Sequence, residues 1–290
     1  MYIKFWGTRG SIPSPGGDTL KYGGNTSCVE IQADDSLIII DCGTGIRPLG
    51  IDLLKRKPEI EEGHILISHT HWDHIQGIPF FSPFLCTDSK WHIYGPENMR
   101  SSIKDALKGQ MEIDYFPISL RELKANIDFH DISEGSFNIN NIKITSAFLN
   151  HTSLTCGFKI EAEGLVLVYS CDHEPYGKLN GSGEFELTDL DMKHAEFIKD
   201  ADIVIHDSQY TNEEYKKHEG WGHSTHKYAI EICKIANVKQ LFLTHHDPSR
   251  TDKDLDKIIE KIQLELTKEN CKLEVLGAME NQSIKLPENK

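Results

Sequence analysis

Four metal-ligand side chains fall within six residues at His69-Thr70-His71-Trp72-Asp73-His74, directly after an apolar run at residues 64–68. The run reads as a buried strand, and the strand period of two sends His69 and His71 to one side at its end, where a single metal ion takes both. A helix starting at Asp73 would bring that carboxylate and the His74 imidazole round beside the first metal, where a second ion takes them. The pattern therefore predicts a two-metal hydrolase site built on a strand end and a helix start.

Two metals need more ligands than six residues supply. Three further strand-like segments each end on one. His151 follows residues 142–148, Asp172 follows residues 165–170, and His245 follows residues 240–244. His246 stands next in the chain and is the alternative to His245 if the register is off by one. The remaining apolar segments at 2–6, 26–32, 37–41, 157–161 and 202–206 read as strands, and 96–108, 224–236 and 252–268 as helices. Strands in runs with helices between and after them predict an α/β (α+β layered) architecture, two sheets face to face with helices outside. The chain, 290 residues long, is expected to form a single domain over 1–290.

Composition narrows the class. The longest apolar runs, at 37–40 and 165–169, fall far short of the roughly 20 residues that span a bilayer. No h-region follows Met1, so a cytoplasmic protein without membrane contact is expected. Seven scattered cysteines without CxxC spacing suit reduced thiols. A net charge of −14 disfavours long polyanions over most of the surface, so the expected substrate is small and no long nucleic acid is expected as a partner.

The ordered set of His and Asp motifs strongly resembles the metallo-β-lactamase superfamily, whose HxHxDH signature His69, His71, Asp73 and His74 satisfy. The resemblance implies an αββα sandwich of the metallo-β-lactamase fold and two divalent metal ions. His69, His71 and His151 would hold one ion, Asp73, His74 and His245 the other, and Asp172 would bridge them. It also implies a structural Asp at Asp41-Cys42-Gly43, bracing the ligand loop. Such nitrogen and carboxylate ligands suit Zn, Mn or Fe. Water shared by metals about 3.5–4 Å apart loses a proton near neutral pH, which makes a side-chain nucleophile unnecessary.

Later segments point to one branch. His206-Asp207-Ser208 and Gly222-His223-Ser224-Thr225 resemble the acidic residue and His-Ser-Thr motif of ribonuclease Z and its phosphodiesterase relatives. Gly7-Thr8-Arg9-Gly10-Ser11 and residues 22–27 resemble the branch with phosphoribosyl cyclic phosphodiesterase. The resemblance makes His223 a general acid and Asp207 its orienting partner, with Asp73 completing the catalytic set. It implies hydrolysis of a small cyclic nucleotide or cyclic sugar phosphate by metal-bound hydroxide. Thioester or lactone hydrolysis and a non-catalytic di-iron oxygen-binding sensor are the alternatives. The long basic arm by which ribonuclease Z grasps tRNA is not visible in the sequence.

Other residues keep two readings. Arg9 contacts substrate or braces a sheet edge. Trp72 and Trp221 stack a nucleobase or pack on the sheet. The apolar cluster 115–118 is a lid, a homodimer contact or, by default, core. Strand alternation points Cys171 away from the metals. His64, His92, His130, His194 and His218 are read as structural or solvated and without partners, and Ser224 as a helix N-cap.

Overall fold

The computed structural model describes residues 1–56, 61–97 and 102–287. One seven-stranded sheet contains β1 (Tyr2–Gly7), β2 (Cys28–Ala33), β3 (Ser36–Ile40), β4 (Glu62–Leu66), β5 (Lys90–Pro96) and β6 (Asn126–Ile132) in chain order. The other is made of β7 (Gly135–Ile139), β8 (Ile142–Leu149), β9 (Thr155–Ala162) and β10 (Leu165–Ser170), continued by strands from the last third of the chain. After β10 the chain forms a separate small hairpin of β11 (Lys178–Leu179) and β12 (Phe185–Glu186). Then β13 (Ile203–Asp207), β14 (Gln240–Thr244) and β15 (Glu274–Gly277) extend the second sheet in parallel from β10, and β16 (Ser283–Lys285) returns to pair with β1.

Alternation along the apolar strands builds the layers. In β3, Ile38 and Ile40 face the core between the sheets, while Leu37 and Ile39 face a second core outside. In β10, Leu167 and Tyr169 point inward and Val168 outward. Both faces are buried, so these strands read as continuous apolar runs. Each fully buried Ile contributes about 1.5–3 kcal/mol relative to exposure.

The first outer core is closed by α1 (Ile46–Leu53), the short α2 (Trp72–Ile75) and α3 (Ile103–Gln110). The second is closed by α4 (Asp189–Phe197), α6 (His226–Ile235) and α7 (Asp252–Lys268), with the single turn α5 (Asn212–Tyr215) nearby. Thr188 and Thr251 cap α4 and α7, each in a reciprocal box with an Asp three residues on. The result is the expected αββα sandwich.

Several sequence boundaries move. Pro96 ends β5, a proline on the last strand residue rather than a helix start, and α3 begins at Ile103; residues 98–101 of the expected helix lie outside the described residues. Thr225, not Ser224, caps α6 by accepting from the Tyr228 N–H, and the Ser224 hydroxyl donates to the His173 carbonyl. The 115–118 cluster is not core, because Tyr115 is 77 % exposed and this stretch crosses the outside of the sandwich. Among the described residues no helix is long and apolar enough to cross a membrane.

Candidate dinuclear metal site

One edge of the sandwich collects the C-terminal ends of β3, β4, β8, β10, β13 and β14. Three of these strands are followed within two residues by a non-glycine residue at positive φ: Asp41 (60°), Asp172 (61°) and His245 (58°). Left-handed backbone costs roughly 1–2 kcal/mol per such residue. Its recurrence on one edge marks a place where geometry is held against strain.

The edge brings together every residue of the sequence-predicted ligand set. His69, His71, His151 and Asp172 form one group whose donor atoms lie within 4.8 Å of one another, and Asp73, His74, Asp172 and His245 form a second. Asp172 belongs to both. Its Oδ2 lies 3.6 Å from the Nε2 atoms of His69 and His151, and its Oδ1 lies 3.3 Å from the Nε2 atoms of His74 and His245. His69 and His71 do converge, their ring centroids 4.5 Å apart, but strand alternation is not the cause. β4 stops at Leu66, and a loop delivers both.

On four of the five imidazoles the far nitrogen is fixed by an oxygen, while His71 Nδ1 lies 3.1 Å from His151 Nε2. His74 Nδ1 meets Asp41 Oδ2 at 2.8 Å, His245 Nδ1 meets Gln209 Oε1 at 2.9 Å, and His151 Nδ1 meets the Gly222 carbonyl at 2.7 Å. His69 Nδ1 lies 3.1 Å from the Ser68 hydroxyl. This is how metal-ligating histidines are oriented, with the ligand nitrogen turned to the centre. Asp41 also accepts from the Ser68 N–H and hydroxyl and from Tyr169 Oη, so it braces the ligand loop.

Burial pushes the pKa of His69, His71 and His151 down, which keeps their lone pairs available. At His74 burial also works against a proton, yet the carboxylates of Asp172, Asp73 and Asp41 outweigh it and hold its pKa up. The pocket thus calls for positive charge among these groups. The buried Nε2 atoms of His69 and His74 have no hydrogen-bond partner among the described residues. Orphaned imidazole nitrogens beside ionised carboxylates fit divalent cations, so the residues present suit the two-metal expectation.

His223 lies beside both groups. Its Nδ1 is 2.8 Å from Asp207 Oδ2, and its ring stacks on His245 with centroids 4.8 Å apart. Burial lowers its pKa, but Asp207 first and then Asp172 and Asp73 overcome this and raise it to about 9. His223 lines a cavity of about 520 Å³ together with Ser11, Thr70, His71, Trp72, Asp73 and Asp172.

Other readings resolve differently. His245, not His246, joins the clustered groups, since His246 is turned to the Ala278 carbonyl at 2.9 Å. Arg9 braces: it is fully buried and donates to the carbonyls of Gly23, Asp247 and Arg250, pinning Gly10 and Ser11 over His245 and Asp73. A β-carbon on Gly10 would strike the His245 ring, while the Ser11 N–H donates to Asp73 Oδ2 at 2.8 Å. Cys171 packs in the inter-sheet core and belongs to neither ligand group, but it does not point away from them: its Sγ donates to Asp172 Oδ1 at 3.2 Å. Trp72 and Trp221 do not pack on the sheet, being 77 % and 60 % exposed. The histidines read as lacking partners have them: His92 contacts Glu62 and His130, His194 contacts His206, His218 meets the Glu214 carbonyl, and His64 stacks on His92.

Sequence reasoning missed Glu174, Gln209 and a buried group of His173, His194 and His206. Both His173 nitrogens are already engaged, Nδ1 by the Asn150 N–H and Nε2 by Tyr228 Oη. Glu174 accepts from Tyr215 Oη and from the N–H groups of Gly220 and Gly222, and so clamps the loop whose Gly222 carbonyl holds His151. Gly222 is at φ 88°, and a β-carbon there would meet the His151 ring. Glu174→Gln would set an amide against those N–H donors. It should weaken metal binding at the His69–His71–His151 group by about 10–100-fold. Competition against a chromophoric chelator, with circular dichroism to check the fold, reads this; unchanged affinity would refute the clamp.

A sandwich of this layering whose strand ends converge histidines and carboxylates on a shared aspartate defines a metal-dependent hydrolase of the metallo-β-lactamase type. Residues 37–246 match the beta-lactamase superfamily domain, and the chain belongs to that family. It is similar to a ribonuclease Z of Prochlorococcus marinus subsp. pastoris, 24 % identical over 291 residues covering 87 % of this chain and 90 % of the relative. Among solved structures it resembles the short form of human tRNase Z (TM-score 0.66, 21 % identity, 99 % of this chain and 100 % of the other). It also resembles a diphosphatase from the PhnP family (TM-score 0.66, 14 % identity, 99 % and 98 %). These ribonuclease Z relatives overturn the expectation that long nucleic acid is not a partner. Net charge sums the whole surface, whereas polyanion binding is decided by the local field, which metal ions dominate at such a site.

Proposed function

We infer that the chain is a metal-dependent phosphodiesterase acting on a small cyclic nucleotide or cyclic sugar phosphate, working as one domain over 1–290. The observation that carries this is Asp172, one oxygen turned to each ligand group, with His223 on Asp207 beside them. His69, His71 and His151 would hold one cation and Asp73, His74 and His245 the other, with Asp172 shared; Zn, Mn and Fe suit these donors. Bound there, they would supply Lewis acidity and a lowered pKa for water.

The chain's own residues do the rest. Asp207 fixes the His223 tautomer and keeps the ring protonated, and His223 gives its proton to the leaving alkoxide. Asp73, ionised and lining the cavity, is held by the Ser11 N–H and faces His245 and His74. A second reading, cleavage of an RNA phosphodiester, is favoured by the ribonuclease Z relatives and uses the same groups.

The test is hydrolysis by protein loaded separately with Mn, Zn or Fe of bis(p-nitrophenyl) phosphate, a panel of cyclic nucleotides, and a structured RNA with a 3′ extension. Cyclic diesters cleaved in preference to RNA support the first reading, and RNA alone supports the second. No diester cleaved by protein with two bound ions refutes both and moves the assignment to thioester or lactone hydrolysis.

A further inference from the structure

Beyond Trp72 a second cavity, of about 730 Å³, adjoins the first and shares Thr70 and Trp72 with it. Its walls are aromatic. Trp72 and Tyr115 are each 77 % exposed and Phe80 is 55 % exposed, while Phe116 meets Phe80 edge-on with centroids 5.4 Å apart. Three large rings left to solvent around one hollow forfeit burial that a flat, apolar-faced group would restore.

The lining carries free acceptors beside the donors of Thr70 Oγ1, Trp72 Nε1 and Tyr115 Oη. Gln110 Nε2 donates to the Ile75 carbonyl and Gln76 Nε2 to Thr26 Oγ1, while the carbonyl oxygens of both amides and the Asp114 carboxylate have no hydrogen-bond partner among the described residues. The cavity is therefore rich in acceptors. An acyl chain would satisfy the rings and leave the acceptors unmet, at a cost. A planar heterocycle with N–H groups on its edge satisfies both.

We propose that this cavity binds the nucleobase of the substrate, an amino-bearing base between the Trp72, Phe80 and Tyr115 rings with its N–H edge toward Asp114, Gln76 and Gln110. The inference rests on the phosphodiesterase reading, which places the phosphate at the adjoining ligand groups. It narrows the substrate from any cyclic phosphate to a nucleotide, guanine being the base richest in edge donors. Stacking of a base on protein aromatics is worth about tenfold or more in affinity.

The experiment is calorimetric titration of the Mn-loaded full chain with guanosine 5′-monophosphate, uridine 5′-monophosphate and ribose 5-phosphate, which carry the same phosphate. The guanosine nucleotide should bind at least about tenfold more tightly than ribose 5-phosphate and quench tryptophan emission in the native chain but not in Trp72→Phe. Tyr115→Ala and Phe80→Ala should erase the preference, and Asp114→Asn should narrow the gap between guanosine and uridine. Equal affinity for guanosine nucleotide and ribose 5-phosphate overturns the proposal, including when sedimentation shows a second copy covering the cavity. Bis(p-nitrophenyl) phosphate, which has no base, separates the two failures. Its turnover without base preference sinks the base site alone, and base preference without turnover sinks the phosphodiesterase reading alone.

Discussion

Replacing Asp172 by Asn is expected to abolish turnover by roughly three orders of magnitude or more and to reduce bound metal below two ions per chain, because one charged carboxylate faces both ligand groups. Asn is the informative substitution. Position 172 has a φ of 61°, a conformation that Asn adopts far more readily than Ala, so Asp172→Ala would mix lost ligation with backbone strain of roughly 1–2 kcal/mol. Burial alone would raise the Asp172 pKa, but His245, His74 and His69 hold it well below the usual carboxylate range. The ionised state is thus paid for by its histidine neighbours, and among the described residues Asp172 is the one shared by both ligand groups. Metal content by elemental analysis and turnover of bis(p-nitrophenyl) phosphate measure the two effects separately. A variant that keeps two ions and near-native turnover would show that Asp172 does not bridge.

How much of this was legible in the sequence depended on how local the cause was. The runs at β3 and β10 announced strands, and the HxHxDH run announced its ligands but not the loop that delivers His69 and His71, which read as a strand end. β5 and β6 did not, because Lys90, His92, Asp128 and Asp131 interrupt their apolar pattern. α1 was hidden by Pro48 and Gly50, which are poor helix residues, and only the fold reveals that Gly50 lies against Phe81 and Pro83. The ligands themselves stood out by residue type and by their place after strands. Their supports did not, since Gln209 and Glu174 are unremarkable until the chain brings them to His245 and to the Gly222 loop. The exposed aromatics misled in the same way: an apolar cluster read one residue at a time defaults to core, and only the layering shows that residues 115–118 lie outside it.

His223→Gln should lower kcat by about 10²–10⁴ on diesters with alkoxide leaving groups and far less on bis(p-nitrophenyl) phosphate, whose leaving group departs without a proton. Gln keeps a donor for Asp207, and Asp207 also accepts from the Gln209 N–H at 3.0 Å, so the buried carboxylate is not stranded. The pH dependence carries the same signature. On the proposed mechanism His223 works as the protonated acid, so the rate on an alkoxide substrate should hold below its pKa and fall as pH rises through it. Asp207, Asp172 and Asp73 raise that pKa to about 9 against the pull of burial. Cations at the ligand groups would neutralise Asp172 and Asp73 but leave Asp207 in place, which moves the basic limb of kcat/KM down from about 9 toward the ordinary imidazole value. In His223→Gln that limb should vanish. If the variant keeps both the limb and the native discrimination between alkoxide and p-nitrophenolate, the proton comes from another group and His223 merely fills the cavity wall.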